Sequence, residues 1–169
     1  MKKLREKGID ALLVGGACVS IYTGNKYYSS DLDFVSHASI KDISMALSEI
    51  GFKRKGTRHF ERSDCPLFVE FVSPPAAIGS EPIREKGEVK TISGTVVMLT
   101  ATDCVKDRLA AYYHWNDPQA LEQALMVARD QKVNLKEIER WSVQEGFREN
   151  YHNFFSQTGK KYRSQSADG

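Results

Sequence analysis

Gly15-Gly16 and Asp31-Leu32-Asp33 stand at a spacing that suits phosphate and metal chemistry. The glycines follow an apolar segment, Ile9 to Val14, and precede a short helical stretch over 17–22 that ends at the turn signal Thr23-Gly24-Asn25. Without a Cβ, a glycine lets backbone N–H groups come close to a phosphate, and the start of a helix favours an anion. Asp31 and Asp33 open a second apolar strand over 31–35. Positions i and i+2 of a strand share a face, so both carboxylates point the same way and Leu32 points the other. Asp is depleted in strands, and two neighbouring carboxylates repel. A hard divalent cation such as Mg²⁺ relieves that repulsion and brings phosphate oxygens and water into its shell. A glycine phosphate site beside a carboxylate metal site is what transfer of a nucleotide from a triphosphate requires. The bland reading is a tight strand-to-helix turn followed by two solvated acids. Ser30 either offers its hydroxyl to phosphate or caps the start of the strand, as does Ser29.

Gly15-Gly16, a short helix, then Ser30-Asp31-Leu32-Asp33 resembles the signature of the DNA polymerase β-like nucleotidyltransferases. The small bacterial and archaeal members, which include abortive-infection and toxin–antitoxin toxins, are the nearest in pattern. The resemblance covers roughly residues 9 to 115, and the order and spacing of the motif carry it. It implies an α/β fold: a mixed sheet with packed helices, followed by a C-terminal helical subdomain, with the site between the two. It also implies Mg²⁺, an NTP substrate, a cytoplasmic setting, an RNA (a tRNA end) or protein acceptor, and a cognate antitoxin. The family takes a third carboxylate, often Asp, from a neighbouring strand; the matching residue here is Glu70, in Leu67-Phe68-Val69-Glu70-Phe71-Val72. A carboxylate in so apolar a run is seldom buried without a partner. The resemblance thus makes Asp31, Asp33 and Glu70 the catalytic metal ligands, with Gly15, Gly16 and Ser30 on the nucleotide. Similar toxins also carry a helix-borne Lys after the last core strand, here Lys106, facing the nucleotide; by itself Lys106 reads as a solvated helix face, and Arg108 is a weaker candidate. Members often place Arg four residues before the first Asp, where this chain has Tyr27 beside Lys26.

The elements that must position these residues follow from pattern. A short helix over 3–7 stops at Gly8. Ile40, Ile43, Ala46, Leu47 and Ile50 recur at helical spacing between Ser39 and Gly51. Residues 52–55 and 58–62 form a strand pair about Gly56, and Asp64-Cys65-Pro66 is a break before the strand over 67–72. Residues 76–88 read as loop, and 89–99 as a hairpin about Ser93-Gly94. Helices follow over 103–115, 118–130, 135–145 and 147–156. Asp117 before Pro118 and Asn134 before Glu137 are capping signals. The divisions expected are a nucleotidyltransferase core over 1–100, a helical subdomain over 101–157 and a disordered tail over 158–169.

Composition narrows the classes. A chain of 169 residues suits one domain, or a small core with a helical appendage, and a formal charge of +2 gives no dominant drive toward nucleic acid. The local run Lys53, Arg54, Lys55, Arg58 is a solvated strand pair or an RNA backbone contact. Cys18, Cys65 and Cys104 have neither metal-ligand spacing nor a disulfide pattern, which points to a reducing compartment. His37, His59, His114 and His152 lack ligand spacing. No signal peptide or membrane-spanning run is visible, so no membrane partner is expected. Two other functions stay open: a nucleotidyltransferase acting on a small-molecule antibiotic, and an inactive binding or antitoxin module.

Overall fold

The computed structural model describes residues 1–72 and 74–165, with side chains described through Thr158. Helix α1 (Lys2–Glu6) leads to β1 (Leu12–Val14), which is shorter than the predicted strand. Helix α2 (Gly16–Tyr22) and β2 (Asp31–Val35) follow as expected. Helix α3 (Ile40–Ser48) begins where the Ser39 hydroxyl accepts the Asp42 N–H at 3.1 Å. Strands β3 (Lys53–Lys55), β4 (His59–Arg62) and β5 (Cys65–Val72) form an antiparallel meander.

Cys65 and Pro66 belong to β5 rather than to a break. Pairing of β5 with β2 begins only at Phe68, so the N–H that Pro66 lacks is not missed by that neighbour. The predicted loop over 76–88 contains a two-stranded hairpin, β6 (Ala77–Ile78) with β7 (Glu81–Pro82). Next comes the hairpin β8 (Gly87–Thr91) and β9 (Gly94–Met98).

The main sheet runs β3-β4-β5-β2-β1-β9-β8. It is mixed: β2 with β5 and β1 with β9 are parallel, and the other neighbours are antiparallel. One face of its middle is apolar. Leu13, Phe34, Phe60, Val69 and Phe71 are buried there, with the Phe71 ring 5.6 Å from Phe34 and 6.0 Å from Phe60. The opposite face of β4, β5 and β2 carries His59, Glu61, Phe68, Glu70, Asp31 and Asp33, none of them buried.

Four helices complete the chain: α4 (Ala101–Trp115), α5 (Pro118–Asp130), α6 (Leu135–Gln144) and α7 (Arg148–Gln165). Thr100, Asp117 and Asn134 cap the first three through their side chains. Helix α7 runs past the predicted end at 156 and through the first part of the predicted disordered tail; residues 166–169 of that tail lie outside the described residues. The buried core is continuous from the sheet, through Leu99 and Leu109, to Trp141 and Phe154. Among the described residues no helix is long and apolar enough to cross a membrane.

Candidate active site

Gly15 ends β1 with φ 71° and ψ −154°, a conformation essentially confined to glycine. The reason is visible at β2. A Cβ on Gly15 would lie 2.7 Å from Oδ2 of Asp33. A Cβ on Gly16 would lie 2.9 Å from Oγ of Ser29 and 3.4 Å from the Tyr27 ring. The two glycines therefore let the start of α2 close on the carboxylate strand.

The register of β2 and β5 assembles the acids. Asp33 is directly opposite Glu70 in the parallel ladder, and Asp31 is opposite Phe68. Neighbouring strands are about 4.8 Å apart, so Asp31, Asp33 and Glu70 form one acidic patch on the exposed face. Asp33 shows the consequence: burial, then the charges of Asp31 and Glu70, push its carboxyl from an ordinary 3.8 up to about 6. Asp31 and Glu70 are more exposed than Asp33. The Ser30 hydroxyl donates to Oδ1 of Asp31 at 2.7 Å, and the Ser29 hydroxyl donates to the Asp31 carbonyl at 3.1 Å. Both serines thus brace the start of β2.

Among the charged groups that act on Asp33, the cation is Arg108, from α4. Arg108 pulls the Asp33 carboxyl downward, while its neighbour Asp107 pushes it upward. The Arg108 guanidinium is held by Oδ2 of Asp107 at 2.6 and 3.0 Å and by Oε1 of Gln123 at 3.3 Å. Burial works against its charge, and Asp107, with Cys104 and Cys18, more than offsets that. Tyr27 and Lys26 do not take this role: Tyr27 packs on Gly16, and the Lys26 ammonium pairs with Asp130 at 2.7 Å.

Lys106 stands elsewhere. Its side chain is only 4 % exposed, and its ammonium lies 2.8 Å from Glu81, 3.4 Å from Asp103 and 3.5 Å from Glu137. Burial lowers its pKa, but Glu81 and Asp103 raise it more. It is neither the solvated helix face expected from its type nor among the charged groups that act on Asp33. Successive helix positions point about 100° apart, so Arg108, two residues on, meets different neighbours from Lys106 and is among the charged groups that act on Asp33. Cys18 and Cys104, distant in sequence, meet in the core. The Cys18 thiol donates to the Leu13 carbonyl at 3.2 Å, and contact with Cys18 together with burial pushes the Cys104 thiol well up. Both are free thiols, and the upward shift keeps Cys104 in the unreactive, protonated form.

Among the described residues no three His, Cys, Asp or Glu side chains already converge as a metal cage. The donor set nevertheless suits a hard divalent ion: three carboxylates in adjacent register, with a mutual repulsion that registers on Asp33. Asp31 and Glu70 are exposed enough to rotate toward such an ion.

No protein-family model matches the sequence, and no curated protein matches it. Solved structures do. An antigenic nucleotidyltransferase-like protein from Paracoccidioides brasiliensis superposes with a TM-score of 0.63 at 12 % identity, over 98 % of this chain and 86 % of that one. The antibiotic-resistance factor ANT(2'')-Ia in solution gives 0.53 at 11 % identity, over 96 % and 92 %. The crystal structure of ANT(2'')-Ia in complex with adenylyl-2''-tobramycin gives 0.54 at 11 % identity, over 92 % of each chain. The chain has the mixed α/β fold of nucleotidyltransferase-like proteins, as its motif implied.

Proposed function

We propose that this protein is a Mg²⁺-dependent nucleotidyltransferase that moves a nucleoside monophosphate from an NTP to an acceptor hydroxyl. The observation that carries this reading is the meeting of Gly15 with Asp33 and of Asp33 with Asp31 and Glu70. Those three carboxylates would hold the metal, which would supply charge neutralisation at the triphosphate and activation of the acceptor oxygen. The chain's own residues do the positioning. Gly15 and Gly16 leave the backbone open where the triphosphate would approach, and Ser30 keeps Asp31 oriented. Arg108, braced by Asp107 and Gln123, faces the developing negative charge of the phosphates in place of the arginine that Tyr27 replaces. Positioning and electrostatic stabilisation supply most of the acceleration in such a reaction. The acceptor is an RNA end or a protein in a cytoplasmic, toxin–antitoxin-like setting, with a cognate antitoxin as partner; this part of the reading rests on the motif.

A second reading, nucleotidyl transfer to a small-molecule antibiotic, is favoured by the likeness to ANT(2'')-Ia. One assay separates the two. Each α-labelled NTP is incubated in turn with Mg²⁺, the protein and total RNA, total protein or aminoglycosides. Label in RNA or protein, lost in Asp31→Ala/Asp33→Ala, is the expected result. Label in the aminoglycoside selects the second reading. If calorimetry finds no Mg²⁺–NTP binding, both are wrong and the protein is a binding module.

A further inference from the structure

The exposed sheet face does not end at the carboxylates. His59 of β4 is directly opposite Glu70, and Lys55 of β3 is directly opposite His59. Lys53 is opposite Glu61 in the same way. Direct partners in a ladder share a face, so a continuous strip runs outward from the acids through an aromatic pair to two lysines. The pair is Phe68 and His59, with rings 5.2 Å apart. Phe68 is 40 % exposed although it sits opposite Asp31 in the middle of a seven-stranded sheet. An aromatic ring left open beside a catalytic patch is out of place in a sheet whose other face buries three phenylalanines.

The basic residues of this hairpin divide into two kinds. Arg54 closes its own turn, donating to the Thr57 carbonyl at 2.7 and 3.0 Å, and Arg58 donates to the Phe71 carbonyl at 3.4 Å. Lys53 and Lys55 are exposed and take no hydrogen bond or ion pair among the described residues. The acid opposite Lys53, Glu61, is engaged by Nε2 of His59 at 3.2 Å. Strand β3 lies two strand spacings, about 10 Å, from β5.

We infer that this strip is the acceptor platform of the proposed transferase, and that the acceptor is the 3′ end of a single-stranded nucleic acid. The terminal hydroxyl would lie at the carboxylates, a base would stack on Phe68 and His59, and the preceding phosphates would meet Lys53 and Lys55. Stacking platforms flanked by cations are how single strands are held without reading their sequence. The inference rests on the transferase reading for the role of the bound strand, but not for its binding.

The test measures binding and transfer separately. Fluorescence anisotropy follows a labelled oligoribonucleotide with a free 3′ hydroxyl, and a DNA oligonucleotide of the same sequence reports the choice of sugar. Phe68→Ala should weaken binding roughly 5- to 150-fold, the range for loss of one stacked base. Lys53→Ala/Lys55→Ala should weaken it and reduce the slope of log affinity against log salt by about 1.4, or about 0.7 per phosphate contact. All three side chains are exposed, so the variants keep the fold. Lys136→Glu, an exposed change on α6, should leave binding as in the parent. Binding that is absent in the parent, or that is equal in the parent and both strip variants, overturns the inference. Transferase activity on RNA with KM for RNA unchanged in both variants overturns it as well. If the strip variants lose the strand as expected while no Mg²⁺–NTP binds, the platform stands and the transferase reading fails. If Mg²⁺–NTP binds while no strand does, the reverse holds.

Discussion

Replacing Asp33 by Asn should make the metal-free protein more stable at neutral pH while abolishing transfer. Asp33 loses its proton near 3.8 in the unfolded chain and at about 6 in the fold, because of burial, Asp31 and Glu70. The native state thus holds this proton more tightly than the unfolded chain does. Charging Asp33 therefore costs stability as the pH rises from about 4 to about 6, and the cost is constant above that. A wholly shielded carboxyl displaced this far corresponds to about 3 kcal/mol. Asp33 is partly open to water, which screens the repulsion, and about 1–2 kcal/mol is the better figure. In a chain of this size that amounts to about 2–8 °C in Tm. The assay is thermal or urea denaturation of parent and Asp33→Asn in chelator, at intervals from about pH 4 to about pH 8. The two proteins should be equally stable near pH 4, and the gap should be fully open by about pH 7. Added Mg²⁺ should close it by stabilising the parent alone. A gap independent of pH, or an Asn variant less stable than the parent at the alkaline end, would refute the carboxylate repulsion on which the site is built.

Gly15→Ala should cost about 1–3 kcal/mol from its backbone angles alone, and more from the clash with Asp33; equal urea midpoints for parent and variant would show that the strand is not held this way. Arg108→Met should move the Asp33 titration above 6, since Arg108 pulls it down, and carbon NMR of the carboxyl group reads that directly. The same variant should weaken NTP binding by about 1.5–3 kcal/mol, the strength of a hydrogen bond to a charged group, and unchanged calorimetry would remove Arg108 from the triphosphate. Lys106→Met should cost about 1–3 kcal/mol by taking the buried ammonium from the half-buried Glu81, Asp103 and Glu137. Its folded fraction should bind NTP as the parent does, and a specific loss of NTP affinity would instead return Lys106 to the nucleotide.

Much of this was legible from local signals. The alternation in β2, the helical spacing in α3 and the caps at Ser39, Asp117 and Asn134 each act within a few residues, and each element formed where its signal stood. The α/β fold was implied by the resemblance that the Gly15-Gly16 and Asp31-Leu32-Asp33 motif carries. What was not legible depends on distant partners. The β6–β7 hairpin exists because Trp141 donates to the Ile78 carbonyl and Lys106 and Arg140 bind Glu81, and nothing near residues 76–88 announces that. Pro66 looked like a break because the ladder tolerates it only where β2 has not yet begun. The same holds at the site. The spacing of Asp31 and Asp33 fixed their common face, but only the strand register puts Glu70 beside Asp33. Likewise, which neighbours Lys106 and Arg108 meet depends on the way one helix faces.

The cage around Lys106 also sets an order of events on the ribosome. The sheet is complete once residue 98 has emerged, with all three carboxylates in place. At that length Glu81 still lacks both of its cations, because Lys106 and Arg140 have yet to emerge. Arg108, the positive charge beside Asp33, is missing too. Trp141, which docks on Ile78, arrives later still. A nascent chain therefore exposes the acids of the site first, their counter-charge Arg108 next and its latch Trp141 last.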